Sequence, residues 1–415
     1  MKHFLAFVLS AVLFSSAPCA AMEKVIEKTA QNFGIQKISY ALMRGGNTTY
    51  TSDDYTYLAG SVAKSFAAEL VLILTEKGIL EGNEEKYGYT LYDILHHQNS
   101  MVPYTGVLAG FNLSTREGIL NILKSKEKNL PSFNYQNITF LILEEIIEEK
   151  TGMKYCEALR EYILNPLALY NSGSGYDDFK TRWNCYPPTT RGSTVPEHYC
   201  RAVCAYEAAA GIFCSAGNLI NWAKYIYDKQ RLAAFDEKGI KLDDNFYYYN
   251  GWYIKETIAY STGTVIGGGA VCAFNMQTGD GIAILASGDA APLTALSLEY
   301  FKEEKTPVIK KQDEKYPVPK NISKTDISGK YQNNLYGNVV INKIGDSYHL
   351  TLGTLSSPME HIWGGVYRLT GVNEEILKIL PGLEYVYFDV NSNGEALSLT
   401  IEAVFTENSG VFKKE

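Results

Sequence analysis

The chain has 415 residues, 46% of them apolar and 20% charged, which supplies a large packed core and excludes a globally disordered chain. Its formal charge of −8 gives no basis for nucleic acid or an anionic membrane surface as a partner. The length predicts two or three domains.

Residues 1–21 read as an export signal. Lys2 is followed by an apolar run from Phe4 to Phe14 and by small residues up to Ala21, with cleavage expected near Ala20–Met22. The run is too short to span a bilayer, and no later segment reaches about eighteen consecutive apolar residues, so no transmembrane anchor is expected. The mature chain is thus expected to be periplasmic or secreted. Lys37 to Met43 and Thr48 to Thr51 alternate around Gly45-Gly46-Asn47 and predict a hairpin over 37–50. Phe66, Leu70, Ile73 and Leu74 predict a helix from Ser61 to Lys77, stopped by Gly78. Further helices are expected at Ile138–Lys150 and Ala158–Leu164, the latter ending before Pro166. Strands follow at Tyr247–Ile254, Val271–Asn275 and Gly281–Ser287, then a helix at Leu293–Glu303. Strands at both ends with helices between them predict an α+β domain, in which the two chain ends build an antiparallel sheet around a helical insertion. This domain is expected over 22–309, followed by a charged, Pro-containing linker at 310–321. Residues 322–415 read as a small all-β barrel-like domain, with strands at Asn338–Ile341, Tyr348–Leu352, Tyr385–Val390 and Leu397–Phe405.

Three stretches carry chemistry. In Gly60-Ser61-Val62-Ala63-Lys64, serine and lysine three apart at a helix start share one face, and the helix N-terminus adds free N–H donors. That offers a nucleophile, an amine to manage its proton, and donors for an oxyanion. Phe133-Asn134-Tyr135-Gln136-Asn137 precedes a helix: Tyr135 can move protons if a neighbouring cation lowers its pKa, and Asn137 can hold Lys64 and a substrate amide at once. Taken alone, Tyr135 is one of 31 tyrosines and Asn137 an ordinary helix cap. Ser261-Thr262-Gly263-Thr264 offers hydroxyls and a glycine on a strand edge where a substrate can lie against the backbone.

In this order, Ser-x-x-Lys, Tyr-x-Asn and Ser-Thr-Gly resemble the three motifs of class C β-lactamases and related DD-peptidases, esterases and D-amino-acid peptidases. Thr90 to His97, Asn165-Pro166-Leu167, Ala209-Ala210-Gly211 and Asn250-Gly251-Trp252 resemble flanking stretches of that family, and the tail with Gly329-Lys330-Tyr331 resembles the lipocalin-like domain often appended to it. The resemblance implies a β-lactamase/transpeptidase-like fold and an acyl-enzyme on Ser61, its proton relayed by Lys64 with Tyr135. It further implies an oxyanion held by the N–H groups of Ser61 and Thr264, and a small-molecule or peptide substrate with an amide or ester bond. Two departures stand out. Ser261 occupies the place of the family's lysine or histidine, and Gln98-Asn99-Ser100 replaces its Ser-Gly turn. The alternative is a binding protein on the same scaffold with weak or lost catalysis.

No cofactor or metal is expected, because the histidines are scattered and the cysteines are not paired as C-x-x-C. Asp389 to Gly394 imitates the start of a calcium loop but carries Thr400 at the twelfth position, which favours a hairpin turn. Asn47, Asn112, Asn137 and Asn321 match the glycosylation pattern by chance, since a glycan on Asn137 would block the site. In an oxidising compartment Cys185, Cys200 and Cys204 are expected to contain a local disulfide. Cys214 and Cys272 read as small buried residues.

Overall fold

The computed structural model describes residues 17–99, 133–190, 193–195, 197–265, 267–288, 292–302, 326–333, 337–353, 355–363, 366–372, 385–390, 395–401 and 411–415. The apolar run of the leader, Ser100, Asn112, the 310–321 linker with Asn321, and Asn391 to Gly394 lie outside the described residues.

The first domain is built on an eight-stranded antiparallel sheet in the order 240–243, 246–249, 252–255, 258–265, 268–275, 281–287, 37–44, 47–51. The two ends of the domain meet where Lys37–Arg44 pairs with Gly281–Ser287, as the sequence predicted. Side chains alternate across the pleat. Tyr40, Leu42, Ile282 and Ile284 face the helices Ala17–Phe33 and Leu293–Glu299, packing with Val25, Ile26 and Leu296. Ala41, Met43, Ala283 and Leu285 face the helical insertion, whose central helix Ala63–Glu76 buries Phe66, Ala67, Leu70 and Leu74. Apolar burial on both faces explains why the sheet is the core of this domain rather than its surface.

Several expected elements changed form. Tyr247–Ile254 is not one strand but a hairpin of Phe246–Tyr249 and Trp252–Lys255, because Asn250 (φ 49°) and Gly251 (φ 84°) take the left-handed conformation of a tight turn. The expected helix start at Ser61 is a 3-10 turn, Gly60–Val62, that becomes α-helical at Ala63. The third expected helix is an α-helix over Tyr155–Leu159 that widens into a π-turn over Arg160–Leu164. The last one ends at Glu299.

The expected disulfide is not formed; Cys156, Cys185, Cys200, Cys204, Cys214 and Cys272 are all free. Cys200 and Cys204 lie on one helix, Glu197–Cys204, four residues apart and both buried. That spacing holds their Cβ atoms about 5–6 Å apart, beyond the roughly 3.5–4.5 Å a disulfide needs. Cys185 lies outside that helix with its Sγ directed to the Lys180 carbonyl at 4.0 Å. Cys214 and Cys272 are fully buried in the first domain.

The second unit is a closed barrel of eight strands in chain order, from Gly329–Asn333 to Val411–Lys414, closed by Tyr331 opposite Lys414. Its inward positions, among them Tyr331, Ile341, Leu350, Phe388, Leu399 and Phe412, are buried, so the barrel is filled by its own side chains. The four expected strands are present as far as Ile401, the last described residue of the final one.

Candidate active site

Ser61 sits where three backbones converge. Leu58 ends a short strand paired with Ile212–Ser215, and the Ala59 N–H donates to the Ile212 carbonyl at 2.9 Å. Gly60 then turns with φ 55°; a Cβ there would lie 2.9 Å from the amide nitrogen and the carbonyl oxygen of Thr264. From the facing strand, a Cβ on Gly263 would overlap Ala59 O and Ser61 N. Only two glycines allow the strand 258–265 to lie flat against the turn, which brings the peptide of Thr264 beside that of Ser61. Gly251 makes a third close approach, since a Cβ there would lie 2.5 Å from Ser65 N. Trp222 anchors the helix start by donating Nε1–H to Ser65 Oγ at 3.1 Å and stacking on Phe66 at 3.9 Å between ring centroids.

One turn on, Lys64 is buried with 1% exposure. Its Nζ lies 3.0 Å from Ser61 Oγ, 2.7 Å from Asn137 Oδ1 and 2.8 Å from the Ala209 carbonyl. Burial pushes the amine's pKa well below its usual value. A neutral amine carries two hydrogens, and two pure acceptors, Asn137 Oδ1 and Ala209 O, are there to take them. In that neutral form the lone pair is left to accept from the Ser61 hydroxyl, whereas the charged amine donates to Ser61 Oγ.

The segment 133–139 supplies the other wall. The Tyr135 hydroxyl bonds to the Ser61 side chain, and its ring centroid lies 4.7 Å from Lys64 Nζ. The condition under which Tyr135 could move protons, a pKa lowered by a neighbouring cation, is not met: burial raises it, and the bond to Ser61 only partly opposes this. Tyr135 therefore keeps its proton at neutral pH.

Ser261 is also placed differently from the expectation. It is 1% exposed, and its hydroxyl donates inward to the Gly251 carbonyl at 2.9 Å. Thr262 points to the opposite face of the sheet, with Oγ1 3.1 Å from Thr294 Oγ1. Gly263 and Thr264 line the turn at Ser61. The neighbouring strand 252–255 pairs no further than Tyr253 with Tyr260, so residues 261–264 extend past it. In the sequence Ala209, Gly251 and His97 stand only in stretches flanking the three motifs. The carbonyl of Ala209 is a direct partner of Lys64, Gly251 receives Ser261, and His97 contacts the Tyr135 segment on both sides. Backbone carbonyls and close approaches leave no residue-type signature, which is why these roles were not read.

No group of three or more His, Cys, Asp or Glu side chains able to hold a metal occurs among the described residues. The family model for Beta-lactamase matches residues 22–302. The chain belongs to the beta-lactamase family. The fold agrees with family structures at low identity. An octameric penicillin-binding protein homologue from Pyrococcus abyssi is similar at TM-score 0.58 and 18% identity, covering 95% of this chain and 100% of its own. A beta-lactamase/D-alanine carboxypeptidase from Pseudomonas syringae is similar at TM-score 0.56 and 17% identity, covering 69% of this chain and 99% of its own. A class C beta lactamase from Rhodobacter sphaeroides gives TM-score 0.51 and 16% identity over 68% of this chain and 97% of its own. A comparison with curated protein sequences returned no match. The family scaffold is that of serine hydrolases, and no helix among the described residues is long and apolar enough to cross a membrane.

Proposed function

We propose that this beta-lactamase family member is an exported serine hydrolase that opens amide or ester bonds through an acyl-enzyme on Ser61. The observation that carries the reading is the position of Lys64: buried, with Nζ 3.0 Å from Ser61 Oγ and bonded to Asn137 Oδ1 and the Ala209 carbonyl, and with a pKa that burial lowers well below the usual lysine value. Lys64 takes the Ser61 proton as Oγ bonds to the carbonyl carbon, and the N–H groups of Ser61 and Thr264 receive the oxyanion. Tyr135, which holds its proton, passes it to the leaving amine or alcohol as the carbon–heteroatom bond breaks, and regains one from Lys64. Water, deprotonated along the same route, then attacks the ester and frees the acid. In this route Lys64 and Tyr135 act as one proton-handling pair around Ser61. Asn137 holds Lys64 with Oδ1 and offers the other end of its amide to the substrate.

The substrate class is small-molecule or peptide acyl compounds, D-amino-acid ones among them. With no cation at 261 and the Ser261 hydroxyl committed to Gly251, the site favours acyl groups without a carboxylate beside the scissile bond. Residues 1–21 are proposed as the export signal, 22–309 as the hydrolase domain and 322–415 as the appended barrel. The test is intact-protein mass spectrometry after a serine-reactive phosphonate. One adduct on the wild type and none on a folded S61A protein is expected, and an adduct that persists in S61A refutes the assignment.

A further inference from the structure

His97 has no part in the mechanism above, yet it is fully buried and holds φ 54°, a left-handed conformation uncommon for non-glycine residues, though histidine is among those that adopt it more readily. Its bonds explain the conformation. The His97 carbonyl accepts the N–H of Asn134 at 2.9 Å, and His97 Nδ1 accepts the N–H of Gln136 at 3.1 Å. One residue thus grips the backbone on either side of Tyr135. Its ring also packs on the Tyr135 ring, 4.3 Å between centroids. Because the Gln136 N–H can only donate, Nδ1 must be bare. The proton then sits on Nε2, which lies 3.0 Å from the Tyr248 hydroxyl and donates to it. Tyr248 is itself buried on the strand Phe246–Tyr249. The titratable groups facing the imidazole are Lys64, His96, Tyr135 and Tyr248.

We propose that His97 is a positioning residue: its neutral Nε2–H tautomer, set by the Gln136 N–H and with its ring anchored by the Tyr248 hydroxyl, clamps the backbone around Tyr135 and so holds the phenol on Ser61. This rests on the hydrolase reading above. The grip acts on geometry, not on substrate affinity, so its loss falls on kcat more than on KM.

The test compares H97L, H97N and Y248F on an aryl ester, with thermal melting as the fold control. H97L fills the volume but has no acceptor for Gln136. It is expected to lower kcat by about 10- to 100-fold, as for a catalytic group displaced by a fraction of an ångström, with KM changed by less than about threefold. H97N restores an acceptor near the Nδ1 position, and asparagine tolerates the left-handed backbone, so it regains most of kcat. A kcat for H97L within about twofold of wild type overturns the proposal. So does an H97N protein that melts like the wild type but loses as much as H97L. If H97L does not fold, Y248F decides. It leaves the histidine and its tautomer but removes the hydroxyl that anchors the ring through Nε2, and the proposal requires kcat to fall and is overturned if kcat is unchanged. Nitrogen-15 NMR of histidine-labelled wild type reads the tautomer directly. A bare Nδ1 with Nε2–H on His97 is expected, and Nδ1–H overturns the clamp. A wild type that neither turns over ester nor takes the phosphonate refutes the hydrolase reading instead, and the NMR result then judges the clamp by itself.

Discussion

Gly263→Ala tests whether the contact between the third-motif strand and the nucleophile turn sets the rate. A Cβ at 263 would lie 2.8 Å from the Gly60 carbonyl carbon and would overlap both Ala59 O and Ser61 N. All three are backbone atoms with no side-chain rotation to relieve them. Ordinary carbon contacts begin near about 3.4 Å, so the strand must withdraw from the turn by on the order of 1 Å. The overpacking should cost roughly 1–3 kcal/mol of stability, which the large core of the first domain can absorb. The same displacement pulls the Thr264 N–H away from the Ser61 N–H. A misplacement of that size costs about 100-fold in rate, close to the roughly 3–4 kcal/mol of losing one oxyanion donor. The assay is kcat/KM for a short-chain aryl ester, with the phosphonate labelling rate and the melting temperature alongside. Gly217→Ala is the control. It sits in the helix Ala216–Asp228 with its nearest neighbour, Thr51 Cγ2, at 3.4 Å, and should be neutral or stabilise by about 0.5–1 kcal/mol without affecting rate. A folded G263A protein with kcat/KM within about threefold of wild type would refute the argument.

Other outcomes follow from the same geometry. Since burial lowers the Lys64 pKa and the neutral amine is the base, kcat/KM should rise with pH through a value well below about 10.4 and already be on its plateau at mildly alkaline pH. An acid limb near the free lysine value would contradict it. The same shift means that the unfolded chain binds the extra proton between the two pKa values, so Lys64's contribution to stability should increase as pH rises through that window, as read by denaturant titrations at several pH values. Lys64→Ala, Tyr135→Phe and the double variant should lose similar amounts of activity, because the pair handles one proton; losses that simply multiply would break the coupling. An aryl ester should be hydrolysed in preference to a chromogenic cephalosporin. The missing charge-assisted bond at Ser261 is worth about 1.5–3 kcal/mol, on the order of ten- to a hundred-fold. Faster turnover of the cephalosporin would reject that preference.

What the sequence determined by itself was what local spacing and order can encode. Ser61 and Lys64 share a helix face because three residues make nearly one turn. The alternation of 37–43 and the apolar run of 281–287 read directly as strands that can pair, and a barrel-like tail follows from short strands without helices. What only the tertiary structure decided were the directions and charge states of groups whose partners lie far along the chain. The Lys64 pKa is lowered because burial strips the amine of water, while the carbonyl of Ala209 and the amide of Asn137 take its hydrogens, and neither burial nor a carbonyl's direction is written in a tetrapeptide. The Tyr135 pKa is raised, because the loss of water on burial outweighs the bond from Ser61 that lowers it. Ser261 turned inward because Asn250-Gly251 makes a hairpin that presents a carbonyl to it. The cysteines stayed free because a helix fixed two of them too far apart to join. In each case a short motif named the side chain, and burial and long-range hydrogen bonding, which depend on residues tens to hundreds of positions away, set what that side chain can do.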